Sequence, residues 1–436
     1  MTINQEADWL SVDEARARIL TDIAPLESCS LQIMDSLGLA LAEPLVSPID
    51  LPPWDNSAMD GFAVITADIL GASPSDPRVL KVVGDVPAGQ FPATRLGPGE
   101  AMRVMTGAPV PDGADAVIRV EHTDGGSGIG TAEGAVQVFE DGDANRNIRE
   151  RGEDIRKGDQ VLDSGSTVGP AVIGVASSMG YSRLTVHRTP TVGILTSGDE
   201  LVELDEFDEV LAGRKIVSSN TYTLAAQLAE LGFRARVLGI AADTPDSVRR
   251  YLELANGCDA VVTSAGISVG EHDYLRSVLL EMGTEIAFWR VRMKPGSAFA
   301  FGRIGELGGI PWFGLPGNPV STMVTFEIFV RPALLRMAGH RQIYRHTRTV
   351  RLTGDIPGRV GSVQFPRAKL HFSADGEALA LLTGSQGSGI LSSMAAADAL
   401  LIIPEDSAGA RAGDQLEAII LGGQASSSSN QMRTFT

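Results

Sequence analysis

Residues 191–200, TVGILTSGDE, join a short apolar run to a turn of hydroxyl, glycine and acidic residues. The same arrangement recurs in three later stretches: residues 236–240 (RVLGI) before Asp243, residues 259–262 (DAVV) before the loop 264–270 (SAGISVG), and residues 312–315 (WFGL) before 316–319 (PGNP). In an open parallel α/β sheet, ligands bind outside the carboxyl ends of the strands. We therefore expect these loops to converge and to form one ligand site.

Helical patterns separate the apolar runs. Residues 220–231 have leucines spaced along one helical face and a glycine directly after them, and Thr244-Pro245 is typical of a helix start. Strand and helix alternate here with short links, which favours a doubly wound α/β sheet over residues 187–340.

The residues before this domain change pattern twice. The sequence SVDE from Ser11 is a capping box that starts a short amphipathic helix. Residues 49–146 contain short β-like runs broken by Pro and Gly, and residues 147–186 return to turn and helix, with Pro170 at a helix start. We predict a β-rich domain inserted into a segmented helical domain, residues 7–48 and 147–186, whose returning helix packs on the N-terminal one.

The last part of the chain returns to alternating β patterns. The runs are residues 349–352, 378–382, 399–403 and 416–421. Residues 345–422 have a size that suits a small barrel or sandwich, and we predict a small β-barrel. The serine-rich residues 423–436 are predicted to be a disordered tail.

The composition excludes several classes of protein. The chain has 436 residues, of which 43% are hydrophobic, enough for two to four domains with buried cores. No apolar run approaches the roughly 20 residues of a membrane span, and residues 1–10 lack signal-peptide features, so we expect a cytoplasmic protein with no membrane partner. Cys29 and Cys258 lie in no disulfide or zinc pattern. The net charge of −18 argues against nucleic-acid binding, and an anionic ligand would need a local offset such as a divalent cation.

The chemistry of several loop residues is consistent with a ligand-binding role or with a purely structural one. Glu200 follows a glycine turn and can hold a metal or a hydroxyl, or it can cap the next helix. Asp243 is not needed as a helix cap, because Thr244 is expected to take that place. The loop 264–270 can present N–H and O–H groups to phosphate. Lys294 would bring an ammonium group to the crevice or be a solvated turn residue, and Asn318 can be a purely structural N-cap.

Three further segments concentrate polar groups. Residues 54–62 place carboxylates, an amide and a hydroxyl beside an aromatic residue, which is more polar chemistry than a turn requires. Residues 102–111 end a strand in a hydroxyl and a rigid Gly/Pro loop. Residues 147–155 mix both signs of charge and can also be read as a surface ion-pair network.

Seven of these motifs, taken in order, resemble the molybdopterin molybdenumtransferase family, which includes bacterial MoeA and the E domain of gephyrin. They are DNSAMDGFA (55–63), MRVMTGAPVP (102–111), NIRERGEDI (147–155), TSGDEL (196–201), SAGISVGEHD (264–273), MKPG with AFAFG (293–296 and 298–302) and GLPGNPVS (314–321). The resemblance extends over the chain up to the serine-rich tail. It implies an elongated homodimer with a segmented helical domain, an inserted β domain, a molybdopterin-binding α/β domain and a C-terminal β domain, and an active cleft shaped by both protomers.

The implied reaction is the last step of molybdenum cofactor synthesis. Adenylylated molybdopterin and molybdate would give molybdenum cofactor and AMP, with Mg²⁺ as the divalent cation. Molybdopterin adenylyltransferase and apo-molybdoenzymes are the candidate protein partners. Some family members use tungstate instead, and the sequence leaves that choice open.

The resemblance also assigns roles to residues of this chain. The predicted catalytic residues are Asp60, Thr106, Asp154, Glu200, Asp243, Asp273 and Lys294, of which Asp154, Glu200 and Asp243 would bind the metal. The predicted substrate-binding residues are Ser197, Gly198, Asn220, Gly266, Ser268, Gly270, Pro316, Gly317, Asn318, Arg367 and Ser388, the last two with the molybdate oxyanion. One departure is Ser297, which stands where the family often has a second lysine, so that an anion contact is absent or made differently.

Two alternatives use the same motifs. A molybdopterin adenylyltransferase shares the α/β core, but the two β domains and the DNSAMDG motif speak against it. A non-catalytic scaffold, a role that the gephyrin E domain also has, is disfavoured because the acidic cleft positions are retained.

Overall fold

The computed structural model describes residues 9–126, 134–266 and 274–422. It is a mixed α/β structure with a β-rich sheet, a central α/β sheet and a closed C-terminal barrel. The longer helices are α1 (Val12–Asp22), α2 (Pro170–Ser178), α3 (Ser219–Glu230), α4 (Pro245–Glu253), α5 (Tyr274–Glu281), α6 (Pro319–Thr325) and α7 (Arg331–Met337). A π-helical turn, Phe326–Val330, joins α6 to α7.

The inserted sheet has five strands. They are β1 (Gly61–Val64), β2 (Arg78–Val86), β3 (Glu100–Val104), β4 (Ala116–Arg119) and β5 (Ala135–Val138), in the order β4-β1-β3-β2-β5. Only the β2–β3 pair is parallel among these pairings. The sheet agrees with the β-rich pattern of the sequence and presents the turn before β1 beside the loop after β3.

Short strands connect the N-terminal segment to the residues that return after the inserted sheet. Ser28–Gln32 pairs antiparallel with Arg183–His187, and Leu45–Val46 pairs with Gln160–Leu162. Helix α2 packs in this region with Leu41 and Leu184. The two segments therefore meet, as the prediction of a segmented domain requires, while its exact boundaries stay a prediction.

The expected packing of the returning helix on α1 is wrong. The capping box of Ser11 and Glu14 is present, and α1 buries Val12, Ala15 and Ile19. These side chains belong to the core of the central domain, together with residues of α3 and α7, whereas α2 lies in a separate core. The amphipathic stripe of α1 indicates that this face of the helix is buried but does not specify its partner. The apolar surface of the central domain covers it.

The central sheet has six strands. They are β6 (Thr191–Ser197), β7 (Arg234–Ala241), β8 (Ala260–Ser264), β9 (Glu285–Phe288), β10 (Ala300–Ile304) and β11 (Ile310–Leu315), in the order β7-β6-β8-β11-β10-β9. The first four in this order are parallel, β10 pairs antiparallel with β11, and β9 pairs antiparallel with β10. Helices α3 and α6 share one core and α4 and α5 the other, so the doubly wound prediction is confirmed.

The C-terminal strands close into a five-stranded barrel, which confirms that prediction. They are β12 (Thr347–Leu352), β13 (Arg367–Phe372), β14 (Ala378–Leu382), β15 (Ala399–Leu401) and β16 (Gln415–Ile420), in the order β12-β14-β13-β15-β16. Strand β13, RAKLHF, was not among the predicted runs, although its polar and apolar residues alternate; charges stand at two of its six positions. The barrel has its own apolar core.

Short contacts attach the barrel to the central domain. The strand Met293–Lys294 pairs in parallel with Val363–Gln364, and the Val320 N–H at the start of α6 donates to Ser388 O at 3.1 Å. The barrel therefore lies against the loops that follow β11.

The remaining short elements complete the described part. The strands not yet named are Trp9–Leu10, Asn56–Ser57, Ile148–Arg149, Leu201–Val202, Ile216–Val217, Arg290–Val291, Ile356–Pro357 and Gly409–Ala410. The short α-helices are Thr66–Ile69, Phe207–Leu211 and Leu391–Ala395, and the 3₁₀ helices are Ile33–Ser36, Val120–His122, Leu204–Glu206 and Gly305–Leu307. Within the described ranges, none of the helices has the length and apolar character needed to cross a membrane. The tail predicted over residues 423–436 lies outside the described residues.

Candidate active site

The loops after β6 and β7 lie side by side. Ser197 pairs with Ala241 at the strand ends, the Gly198 N–H donates to Ala241 O at 3.2 Å, and the Asp243 N–H donates to Asp199 Oδ1 at 3.1 Å. Carboxylates from both loops thus occupy one patch at the carboxyl end of the sheet. The short strand Leu201–Val202 follows this turn instead of a helix, so the reading of Glu200 as a helix cap is wrong.

Gly198 is required by this turn. Its φ is +148°, and a Cβ at this position would lie 2.7 Å from Glu200 Oε2. Any side chain would therefore displace the Glu200 carboxylate from its place above the backbone.

Asn220 links the loops after β8 and β11. Its Nδ2 donates to Ser264 Oγ at 2.8 Å and to Gly317 O at 2.7 Å. Its Oδ1 is buried and has no hydrogen-bond partner among the described residues. A buried acceptor without a partner carries a free-energy cost, and a ligand donor would remove it.

The same loops hold further predicted residues. A Cβ on Gly266 would lie 3.2 Å from Ser197 Oγ, and a Cβ on Gly317 would lie 3.3 Å from that of Ala265. Pro316 O accepts hydrogen bonds from Ser264 Oγ and Thr322 Oγ1. The structure thus brings together Ser197, Gly198, Asn220, Gly266, Pro316 and Gly317. Ser268, Gly270 and Asp273 lie outside the described residues.

A cavity of about 670 Å³ lies between loop 316–318 and the barrel. Pro316 and Asn318 line it from the central domain, Ser388 lines it from the barrel, and Lys294 lies between them. Asn318 is at the N-cap position of α6, but its side chain makes no capping hydrogen bond, so the structural alternative is wrong for its side chain. Loop 316–318 contributes both to the cavity and to the group of loops around Asn220, which we call the cleft.

The charge of the cavity is opposite to that of the protein as a whole. Among the described residues that line it, Lys294 and Arg367 are cationic and none is a carboxylate, whereas the chain carries a net charge of −18. Ser297, the departure from the family pattern, lines the same cavity. The local charge suits an anionic ligand.

Arg367 is placed differently from what direct contact with an anion requires. It is only 1% exposed. Its Nε donates to Ser393 Oγ at 2.9 Å, and its Nη2 donates to the carbonyls of Ser385 and Gly387, each at 3.1 Å. Burial lowers the pKa of the guanidinium, but an arginine stays protonated in proteins. Arg367 therefore holds the loop that carries Ser388, and its charge acts from behind that loop.

Asp60 and Thr106 form a pair in the inserted sheet. The N–H and the hydroxyl of Thr106 both donate to Asp60 Oδ1 at 2.7 Å. These two bonds, the backbone one first, lower the pKa of Asp60. Both residues are exposed, so the pair presents an ionised carboxylate to solvent or to a ligand.

The predicted metal ligands are not assembled within one chain. No group of three or more His, Cys, Asp or Glu side chains is arranged around a possible ion in the described parts of the chain. Asp154 belongs to the segment that returns after the inserted sheet, whereas Glu200 and Asp243 lie at the carboxyl end of the central sheet. The assignment of Asp154, Glu200 and Asp243 to one metal ion therefore stays a prediction.

The segment around Asp154 does contain the ion pairs that its mixed charges indicate. Arg151 Nε lies 2.7 Å from Asp50 Oδ2, and the Arg151 N–H donates to Asp55 Oδ1 at 2.7 Å. The Asp154 N–H donates to Leu51 O at 3.1 Å. These contacts tie residues 151–154 to the DNSAMDG segment and leave the Asp154 side chain exposed.

Sequence models of three regions match the chain in order. They are the MoeA N-terminal region (domains I and II) over residues 10–180, a probable molybdopterin binding domain over residues 193–336, and the MoeA C-terminal region (domain IV) over residues 349–421. A molybdopterin molybdenumtransferase of Haemophilus influenzae is 32% identical over 93% of this chain and 97% of its own length. The chain belongs to the MoeA family.

Other relatives agree with this membership. Molybdopterin molybdenumtransferase 2 of Mycobacterium tuberculosis is 34% identical over 93% of this chain and 98% of its own length. The crystal structure of the MoeA molybdopterin biosynthesis protein from Pyrococcus horikoshii OT3 covers 95% of this chain and 100% of its own, with a TM-score of 0.80 and 29% identity. The resemblance recognised from seven motifs is confirmed.

Sequence reasoning missed three members of the site of this MoeA family protein. Asp199 orients the Asp243 backbone, Ser264 bonds both Asn220 and Pro316, and Gln386 exchanges hydrogen bonds with the Arg367 backbone. Asp199 and Ser264 lie inside the TSGDEL and SAGISVGEHD motifs, so their residue types and their positions in these motifs could have indicated them. Nothing in the local sequence around Gln386 indicates its partner.

Proposed function

We propose that this MoeA family protein is a molybdopterin molybdenumtransferase, which inserts molybdate into adenylylated molybdopterin with release of AMP in the last step of molybdenum cofactor synthesis. The observation that carries the proposal is a cavity whose described lining is cationic and contains no carboxylate, joined through loop 316–318 to the cleft, where Asn220 Oδ1 is buried and has no partner among the described residues. One space suits an oxyanion, and the other suits a polar heterocycle that carries N–H donors.

The cleft would bind the pterin nucleotide. Asn220 Oδ1 would accept a hydrogen bond from a pterin N–H group, which removes the cost of its burial. Ser197, Gly198, Gly266 and Gly317 bring backbone and hydroxyl groups close to the same space. Glycines at such positions let the ligand approach the backbone closely.

The cavity would bind molybdate. Lys294 is exposed and supplies a mobile ammonium group, and Ser388 supplies a hydroxyl. The Arg367 guanidinium would add its charge from behind the loop that it holds. Tungstate has the same charge and shape as molybdate, so this set of groups accommodates both oxyanions, and Ser297 leaves the site with one cation fewer than many family members have.

Magnesium would be held by Glu200 and Asp243. Mg²⁺ in nucleotide sites typically takes one or two carboxylates, with substrate phosphates and water in the other positions. The adjacent loops that carry Glu200 and Asp243 suit this arrangement, since Asp199 already accepts the Asp243 N–H. The cation would neutralise charge on the phosphates and on the departing AMP, while the protein orients the nucleotide through the two loops.

We further propose that the protein acts as a cytoplasmic homodimer. Asp60, Thr106 and Asp154 precede the central domain in the chain, whereas Glu200 and Asp243 belong to it. A second chain that supplies one half of each site would explain how the two groups act together. Molybdopterin adenylyltransferase would deliver the substrate, and apo-molybdoenzymes would accept the product.

The test is AMP release by the purified protein from adenylylated molybdopterin, with molybdate and Mg²⁺ each added or omitted. We expect release that needs both and that stops when the cation is chelated. Glu200→Gln should raise the Mg²⁺ concentration that is needed without changing the molybdate dependence, and Lys294→Gln should do the reverse. Tight pterin binding without any AMP release would favour a scaffold role instead.

A further inference from the structure

A buried carboxylate lies behind Asp60 and has no part in the function proposed above. Asp143 is 3% exposed and accepts hydrogen bonds from the backbone N–H of Arg119 at 3.1 Å and from its Nε at 3.1 and 3.2 Å. His122 Nδ1 lies 3.1 Å from the same carboxylate, although without the angles of a hydrogen bond. Burial would raise the pKa of Asp143, but hydrogen bonds from Arg119 and Asn147 bring it below its usual range.

The partners of Asp143 are in direct backbone contact with the Asp60 turn. Arg119 is the last residue of β4 and pairs with Gly61. Val120, the next residue, donates its N–H to Asp60 O at 3.1 Å. A Cβ on Gly61 would lie 1.9 Å from Ile118 O, so the two strands approach as closely as glycine allows. A shift at the end of β4 would therefore move Asp60.

The turn that follows Asp143 holds the other side of the same segment. The Arg146 N–H donates to Asp143 O at 3.1 Å, and the Ala58 N–H donates to Asn147 O at 2.8 Å. The DNSAMDG segment is thus fixed on one side by Val120 and on the other by Asn147. Asp143 joins these two supports, because its carboxylate binds Arg119 and its own backbone starts the turn.

We propose that Asp143 is a positioning residue that acts through Asp60. The buried charge of Asp143 fixes the end of β4 and the turn that follows Asp143. These two elements hold the Asp60 carboxylate in the position where Thr106 donates to it. The inference rests on the proposed function, since it takes Asp60 to contact the substrate.

The experiment is a double-mutant cycle on AMP release with Asp143→Ala and Asp60→Asn. Misplacement of a group by about 1 Å can cost up to roughly a hundredfold in rate, and we expect Asp143→Ala to slow release at least about tenfold in the unchanged protein. In the Asp60→Asn background the same change should cost less than about twofold, because residues that act as a unit are not additive. Equal losses in both backgrounds would reduce Asp143 to a folding role and overturn the proposal.

Asp115→Ala is the matched control. Asp115 lies at the opposite end of β4, where it accepts the Thr66 N–H at 2.5 Å, so it supports the same strands far from Asp60. We expect it to leave AMP release within about twofold in both backgrounds, as for an independent site.

Amide hydrogen exchange gives a readout that does not depend on activity. In Asp143→Ala, the Val120 and Thr106 amides, which donate to Asp60, should exchange at least about tenfold faster, and in Asp115→Ala they should not. Unchanged exchange in Asp143→Ala would overturn the proposal. If the unchanged protein released no AMP, the proposed function would fail, and exchange alone would decide whether Asp143 positions Asp60.

Discussion

Lys294 and Arg367 contribute positive charge to the cavity in different ways. The Lys294 ammonium is exposed, whereas the Arg367 guanidinium is almost fully buried and bonded to backbone carbonyls. An exposed ammonium can move onto a ligand, but a buried fork with fixed partners cannot do so without leaving them unpaired. Ser297 lines the same cavity and is therefore a position at which the effect of one further mobile cation can be tested.

Ser297→Lys should strengthen the molybdate dependence of AMP release. One added charge near an oxyanion contributes roughly 1.4 kcal/mol at the edge of a protein, which corresponds to about a tenfold lower molybdate concentration at half-maximal rate. A titration of AMP release with molybdate measures this. Ser297→Gln, similar in length but neutral, is the control, and equal effects of both variants would show that charge at this position does not matter.

Thr106→Val should raise the pKa of Asp60. The change removes the hydroxyl bond and keeps the backbone N–H bond, so the pKa should move toward the value of about 3.9 that is usual for aspartate. Because the pKa of Asp60 is lowered in the folded protein, this contact stabilises the fold at pH values above the usual pKa of aspartate. Its contribution is lost as the pH falls through the lowered pKa.

Carbon-13 NMR titration of the carboxyl groups measures this pKa. Asp50 is the internal control, because the Lys157 backbone N–H and then the Arg151 side chain lower its pKa and neither is affected by Thr106→Val. An Asp60 pKa that is the same with and without the hydroxyl would contradict the prediction.

At the scale of elements, periodicity predicted the strands and helices that bury one face or both. Strands β6, β8 and β11 and helices α3 and α4 lie where the apolar patterns indicate. Strand β13 was missed although its polar and apolar residues alternate, and the alternation would not have predicted that Arg367, at a polar position, is buried against the loop after β14. The packing of α1 was also wrong, since an amphipathic stripe does not specify which surface covers it.

Arg367→Ala should destabilise the barrel and its link to the central domain. The change removes the donor to the buried Ser393 hydroxyl and to the carbonyls of Ser385 and Gly387, which belong to exposed residues. An unpaired buried group costs about 1–3 kcal/mol and the space left by the truncated side chain adds to this cost, so the free energy of unfolding should fall by roughly 2 kcal/mol or more. Urea denaturation measures the change.

Arg351→Ala is the comparison for this variant. Arg351 lies in the same barrel and pairs with Glu377 at 2.7 Å on the surface, and exposed ion pairs contribute little to stability. A loss in Arg351→Ala as large as that in Arg367→Ala would indicate that burial of Arg367 is not the cause.

At the scale of the whole molecule, the predicted catalytic residues occupy separate regions of the chain. Asp60 and Thr106 lie on the inserted sheet, Glu200 and Asp243 lie at the carboxyl end of the central sheet, and Lys294 lies beside the barrel. In the described parts of the chain no three metal-binding side chains come together. Together with the homodimer that the family resemblance implies, this distribution is the basis for proposing that two chains share each site.

Mixing two impaired variants should raise activity above that of either variant alone. In a dimer formed by one Asp60→Asn chain and one Glu200→Gln chain, one of the two shared sites contains neither substitution, so random exchange of chains should recover about a quarter of the sites. AMP release by the mixture, after exchange, measures this. Asp60→Asn mixed with Thr106→Val is the control, since every shared site would keep one altered inserted sheet. No recovery in the first mixture would place each site within a single chain.

The sequence by itself determined the order and type of the domains, the doubly wound sheet, the small barrel and the family. These depend on side-chain periodicity, caps and glycine or proline turns, which are local and can be recognised within about ten residues. Only the tertiary structure decided that Arg367 is buried behind its loop, that α1 packs on the central domain, that Asn220 joins two loops and that Asp143 supports Asp60. These depend on which distant segments meet, because burial and the pairing of charges are properties of the assembled interior.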